Sequence, residues 1–228
     1  IHGTPGENGI LQGYFDLIGM PYSTCGVLAS AITFNKFVCN HYLKGFGVKV
    51  SESVMLREGQ TISPDEIEKN IGYPCFVKPN VGGSSFGVTK VKSAEELQPA
   101  IDKAFGEGEE VMIEAFMQGT EITCGMYKTR EKKVVLPITE VVPHNEFFDF
   151  DAKYKGQVEE ITPARISAEL TSRVQQLTAA IYDILGCKGV VRIDYIISAG
   201  DVINLLEVNT TPGMTATSFI PQQVKAAG

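Results

Sequence analysis

Apolar residues recur at helical spacing over residues 28–44, at Leu28, Ile32, Phe37, Val38 and Leu43, which predicts one helix stopped by Gly45. A tight loop from Gly3 to Gly9 precedes a shorter helical pattern over 10–18, ended by Gly19. A strand over 48–56 follows. Ser63-Pro64-Asp65-Glu66 and Ser93-Ala94-Glu95-Glu96 both read as capping boxes, the first with proline at the first helical position. Between those helices the pattern predicts strands over 74–78 and 87–91, and after them strands over 110–115, 121–128 and 133–142. Residues 143–163 form a long irregular stretch, and such loops tend to be functional or mobile. A helix over 167–185 ends at Gly186 and leads to strands over 188–197 and 202–208. The chain opens at Ile1-His2-Gly3 without methionine and stops at Ala227-Gly228 without a closing element, which reads as a fragment that has lost both ends.

The last two strands carry the first candidate chemistry. Alternation puts Arg192 and Asp194 on one face of their strand, and Glu207 and Asn209 on one face of the next. With Gly200-Asp201 as a two-residue hairpin turn, Ala199 pairs with Val202, Asp194 falls opposite Glu207, and Arg192 opposite Asn209. Two carboxylates facing across a ladder repel at roughly 5 Å between Cβ atoms, so the pair calls for a shared divalent cation. Oxygen-only ligands favour magnesium or manganese. The competing reading is an exposed face of solvated charges, and a slip of one residue in the turn would undo the pairing.

Pro79 to Phe86 joins two strands and matches neither a Walker A loop nor a dinucleotide fingerprint. Gly82, Gly83 and Gly87 let backbone approach a phosphate, Ser84 and Ser85 add hydroxyls, and Lys78 adds charge; a plain flexible hairpin fits the same residues. Lys36 lies on the helical pattern, where a solvated lysine is the common case. His2 and Glu7 flank a glycine loop before a helix, an arrangement that binds anions. Glu114 to Met117 ends one strand and Glu121 begins the next, a crossover against which a purine could lie or a simple connector. His144 to Gly156 gathers Phe147, Phe148, Phe150 and Tyr154 with Lys153 and Lys155, which suits a lid over a phosphate or a loop pinned by its aromatics.

Composition narrows these options. Net charge is −7 with a pI near 5.1, which argues against a nucleic-acid partner and confines any phosphate site to a local basic cluster. Five scattered cysteines form no C-x-x-C pair, so neither a zinc site nor a disulfide framework is indicated, and a reducing cytosol fits. No apolar run is long enough to span a membrane and no signal peptide is present, which predicts a cytoplasmic protein without a membrane partner.

Five segments in order then resemble one family. They are His2-Gly3-x-x-Gly6-Glu7-Asn8-Gly9-x-x-Gln12-Gly13, Val77-Lys78-Pro79 leading to Gly83-Ser84-Ser85-x-Gly87-Val88, Phe148-Asp149-Phe150-Asp151-Ala152-Lys153-Tyr154, Gly189-x-x-Arg192-Ile193-Asp194, and Glu207-Val208-Asn209-Thr210-Thr211-Pro212-Gly213-Met214-Thr215. The set resembles the D-alanine–D-alanine ligases of the ATP-grasp superfamily. The resemblance implies an α/β (α+β) fold, with two α+β lobes clasping ATP and the remnant of an N-terminal Rossmann-like domain. Its implied divisions are 1–35 for that remnant, 36–115 for a small lobe with the glycine-rich flap, and 116–228 for a large lobe with lid and metal site.

By the same resemblance Lys36 and Lys78 hold the α- and β-phosphates. Ser84, with Ser85 beside it, covers the phosphates and joins Tyr154 to close the lid, and Lys153 reaches the transferred phosphate. Glu114 and Met117 border adenine and Glu121 binds ribose. Asp194, Glu207 and Asn209 hold two magnesium ions, for which manganese can substitute. Arg192 and the Gly213 amide steady the oxyanion of the tetrahedral intermediate, Ser218 binds the second D-alanine, and His2 with Glu7 lies near the first. The implied activity is ATP-dependent joining of two D-alanines through an acyl phosphate for peptidoglycan, in a homodimer by family analogy. The alternatives are a D-alanine–D-lactate ligase, another ATP-grasp carboxylate–amine ligase, and a non-catalytic nucleotide binder. The chain departs from the family at Asn35, where aspartate is common, and at Phe148 and Phe150, where tyrosines are. An N-terminal segment with a substrate-binding glutamate, and a final helix, are expected to lie outside the chain.

Overall fold

The computed structural model describes residues 1–83, 86–143 and 158–228. Two antiparallel sheets organise it. The smaller runs β1-β4-β2-β3, from β1 (Ser53–Arg57), β2 (Cys75–Pro79), β3 (Thr89–Val91) and β4 (Glu110–Ala115). Helices α4 (Pro64–Asn70) and α5 (Leu97–Phe105) cover one face, closing a core of Val77, Ile113, Ile67, Leu97 and Ile101. The larger runs β7-β6-β5-β8-β9, from β5 (Thr120–Lys128), β6 (Lys133–Pro143), β7 (Val158–Ile161), β8 (Val190–Ser198) and β9 (Val202–Asn209).

The two faces of the larger sheet differ. One buries Ile122, Cys124, Ile193, Tyr195 and Leu205 under α6 (Ala168–Ile184). The alternate positions, Arg192 and Asp194 among them, look the other way, toward α7 (Phe219–Ala227) and the space between the sheets. Gln223 of α7 is fully buried there: its Oε1 accepts from Gly125 N at 2.9 Å and its amide donates to Thr123 O at 3.0 Å. A β-bulge at Gly125 frees that N–H, and a side chain at 125 would strike Ile220 and Gln223.

Several expectations are corrected. The single helix over 28–44 is two, α2 (Val27–Phe34) and α3 (Lys36–Lys44), because Asn35 is extended (φ −94°, ψ 100°), bridges Val81 and caps α3. The strand expected over 48–56 is confined to β1, with Val50 making only a bridge to Leu205. The first capping box forms in full, whereas Ser93 makes no side-chain cap and a 3-10 turn, Ala94–Glu96, leads into α5. Residues beyond 218, for which the sequence pattern predicts no element, form α7, whose Pro221 lies in the first turn, where no intrahelical N–H bond is lost.

The β8–β9 turn is also corrected. Ser198 pairs with Val202, so the loop has three residues, with Gly200 (φ 74°) and Asp201 (φ 56°) left-handed. This register sets Ile197 against Ile203 and Tyr195 against Leu205, apolar on apolar. A bulge then skips Leu206, and beyond it Asp194 faces Glu207 and Arg192 faces Asn209 as expected. Without the bulge, alternation from Leu205 would carry Glu207 to the core side.

The N-terminal segment reaches this core through Cys25 and through Ala29 of α2, and α1 (Ile10–Leu17) packs on α2. In α1 the buried residue is Gln12, which donates to Gly6 O at 2.7 Å and so ties down the preceding loop, while Ile10, Tyr14 and Leu17 are exposed. Gly189, at φ 66°, sits where the segment meets β8: a Cβ there would lie 2.0 Å from Ser23 O. Gly189→Ala combines a left-handed conformation with a backbone clash and is expected to cost about 2–4 kcal/mol. Thermal unfolding would show this as a midpoint lower by roughly 5–10 °C.

Candidate active site

Two cavities lie between the sheets and share one wall. The first, about 630 Å³, is lined from the small sheet by Phe76, Lys78 and Glu114, and from the large sheet by Glu121, Glu140, Asp194 and Ile196. The crossover residues Phe116 and Met117 close one side, and Leu206 and Glu207 another. The second, about 760 Å³, is lined by His2, Glu7, Arg192, Asn209, Gly213 and Ser218. Lys36, Gly82, Gly83, Phe86 and Glu207 border both. Every candidate residue within the described residues therefore lines one of two adjoining spaces. Ser84, Ser85, Lys153 and Tyr154 are not among the described residues, nor is any of the aromatic segment from His144 to Gly156.

In the first cavity β2–β4 pairing sets Phe76 opposite Glu114, which brings Lys78 diagonally onto the Glu114 carboxylate at 2.5 Å, both side chains buried. Lys36 Nζ donates to Gly82 O and lies 3.9 Å from Glu207 Oε1, so it pins the flap to the shared wall. Burial lowers the Lys36 ammonium below its ordinary value; Glu207 opposes that shift and Lys78 adds to it. Around the crossover, Phe76 and Phe116 pack with centroids 5.9 Å apart, and Lys90 Nζ lies 3.7 Å from the Phe116 ring centroid.

In the second cavity the Arg192 guanidinium grips Asp194 with two bonds of 2.9 Å, and Asn209 Nδ2 donates to Asp194 Oδ2 at 2.9 Å. Phe219 at the start of α7 lies 5.2 Å from the guanidinium carbon. Burial works against the Arg192 charge, yet Asp194 and Glu207 hold its pKa above the ordinary value. Among the described residues no three His, Cys, Asp or Glu side chains cluster as metal ligands. The donor set here is two carboxylates and one amide. His2 Nδ1 is 3.1 Å from Glu7 Oε1, and Glu7 Oε2 accepts from Gly3 N at 2.7 Å. Ser218 Oγ is 2.8 Å from Thr215 Oγ1, and a Cβ at Gly213 would stand 2.8 Å from Ser218 Oγ, so a side chain at 213 would displace that hydroxyl.

Some lining residues escaped sequence reasoning. Phe76 could have been found, since it shares strand parity with Lys78. So could Glu140, a carboxylate inside an apolar strand; Arg165 binds it at 2.8 and 2.9 Å and holds its pKa below the usual carboxylate range. Leu206 had no such signal, because it reaches the cavity through the bulge.

The model of the D-alanine–D-alanine ligase C-terminus matches residues 42–228. D-alanine–D-alanine ligases of Bacteroides fragilis and Phocaeicola vulgatus are 74% and 70% identical over all 228 residues, and the chain spans 70% of each. Among solved structures, the VanG D-Ala:D-Ser ligase from Enterococcus faecalis aligns with a TM-score of 0.87 at 36% identity, over 100% of this chain and 66% of that one. D-alanine–D-alanine ligase from Bacillus anthracis complexed with ATP aligns at 0.85 and 32% identity, over 100% of this chain and 72% of that one. Matched from end to end in sequence and in fold, the chain belongs to the D-alanine–D-alanine ligase family of ATP-grasp enzymes.

Proposed function

We propose that this chain binds ATP in the first cavity and D-alanine in the second, and joins two D-alanines through an acyl phosphate for peptidoglycan synthesis in the cytoplasm. The observation that carries this reading is that Lys36 and Glu207 line both cavities, so that a terminal phosphate in one and a carboxylate in the other would meet there. Adenine lies between Phe76, Phe116, Met117 and Leu206, and Glu121 takes the ribose hydroxyls. Lys36 and Lys78 neutralise the α- and β-phosphates; Ser84, Ser85 and Lys153 complete the cover, and Tyr154 closes the lid. The divisions at residues 36 and 116 belong to the same reading, as does a homodimer.

Asp194, Glu207 and Asn209 suit magnesium or manganese, because all three offer oxygen and the two carboxylates face each other in register, Glu207 on the shared wall and Asp194 in the first cavity. Bound there, such ions would screen the charge that otherwise keeps a carboxylate away from a polyphosphate. The first D-alanine carboxylate oxygen attacks the γ-phosphorus, the bond to the β-phosphate oxygen breaks, and ADP leaves. The amine of the second D-alanine then attacks the acyl carbon, loses a proton and expels phosphate. Arg192 and the Gly213 amide face the oxyanion formed in that step. Ser218 receives the second carboxylate, and His2 with Glu7 orients the first substrate.

Phosphate release from ATP is expected to require both D-alanine and magnesium. Equal turnover with L-alanine would overturn the stereochemical part, and D-lactate or D-serine as the better second substrate would replace D-alanine in it.

A further inference from the structure

The first turn of α3 is capped from outside the helix. Lys36 N donates to Asn80 O at 3.2 Å, Phe37 N to Asn80 Oδ1 at 2.9 Å, and Val38 N to Asn35 Oδ1 at 2.9 Å. Three of the N–H groups that a helix start leaves open are thereby satisfied, two of them by one residue at the base of the flap. Asn80 is fully buried, and its amide donates to Glu110 Oε2 at 2.7 Å while its own N–H donates to Glu110 O at 2.8 Å. Asn35 Nδ2 reaches the same carboxylate oxygen at 3.3 Å, and Arg57 Nε reaches Oε1 at 3.0 Å. The position needs an amide: its oxygen must accept from Phe37 while its nitrogen donates to Glu110. Aspartate would set a carboxylate against Glu110, and alanine would leave both partners unmet in a buried site.

We propose that Asn80, oriented by Glu110, is a positioning residue that sets Lys36 against the Gly82–Gly83 flap, and so sets the phosphate grip of the nucleotide cavity. Lys36 is the first residue of α3 and its ammonium ends on Gly82 O. Helix start and flap base are thus one hydrogen-bonded unit with Asn80 at its centre. The inference rests on Lys36 binding phosphate.

Titration calorimetry of ATP and of adenosine into the full chain, with magnesium, separates the possibilities. Asn80→Ala is expected to weaken ATP on the order of tenfold, the loss of one or two bonds at a charged site, and to leave adenosine unchanged. In a Lys36→Met background the same change is expected to have no further effect on ATP. Equal weakening of both ligands, or an undiminished ATP loss without Lys36, would overturn the proposal. Should Asn80→Ala fail to fold, Asn80→Asp carries the test: it is expected to weaken ATP, to leave adenosine unchanged and to have no further effect on ATP in the Lys36→Met background. Equal weakening of both ligands by Asn80→Asp would count against the assignment. An unsubstituted chain that binds ATP no better than adenosine would instead overturn the phosphate reading itself.

Discussion

Glu207→Gln is expected to lower D-alanine-dependent phosphate release by about two to three orders of magnitude with the thermal midpoint nearly unchanged. Two facts separate the expected effects. The Glu207 side chain is about one-third exposed and has Lys36 at 3.9 Å, so an isosteric amide leaves packing intact and loses only a loose ion pair, worth little for stability. For the chemistry, the same carboxylate stands opposite Asp194, where in the proposed function it would help to hold divalent cations. An amide offers one neutral oxygen, and its nitrogen presents hydrogens to a metal. Activity within a few fold of the parent, across a magnesium titration, would remove Glu207 from the metal site.

Lys78→Met is expected to act on both stability and binding. Lys78 and Glu114 are almost wholly buried and in direct contact, so removing the ammonium strands a carboxylate in the interior. Breaking one half of a buried pair costs about 3–5 kcal/mol. Lys78→Met with Glu114→Met removes both charges, and most of that stability is expected to return, while ATP affinity stays low because the phosphate cation is gone. Chemical denaturation would measure the first and calorimetry the second. A double variant as unstable as the single one would mean that the pair is held by packing and not by charge compensation. Normal ATP affinity in either variant would remove Lys78 from the phosphate grip.

How far the sequence reached can be judged at Asp194 and Glu207. Strand alternation puts Asp194 with Arg192 and Glu207 with Asn209, the hairpin turn sets the two carboxylates opposite each other, and the motifs around them point to the family and hence the fold. Their pairing came out as expected although the turn has one residue more than supposed, because the bulge at Leu206 shifts the register by one. Neither feature leaves a local signal, since both answer to core packing across the sheet. The break at Asn35 was hidden for a similar reason. Apolar spacing runs on through it, and only the long-range partners Val81, Asn80 and Glu110 end one helix and start the next. Gln223 could not be anticipated at all, as its role depends on a backbone N–H that a distant bulge leaves free.

That bulge on β9 gives one strand two frames of reference. Residues on the turn side keep step with the oily interior, and Glu207 and Asn209 beyond it keep step with the cavities. A change that removed the bulge at Leu206 would leave the hairpin paired and turn Glu207 from the cavities toward the core.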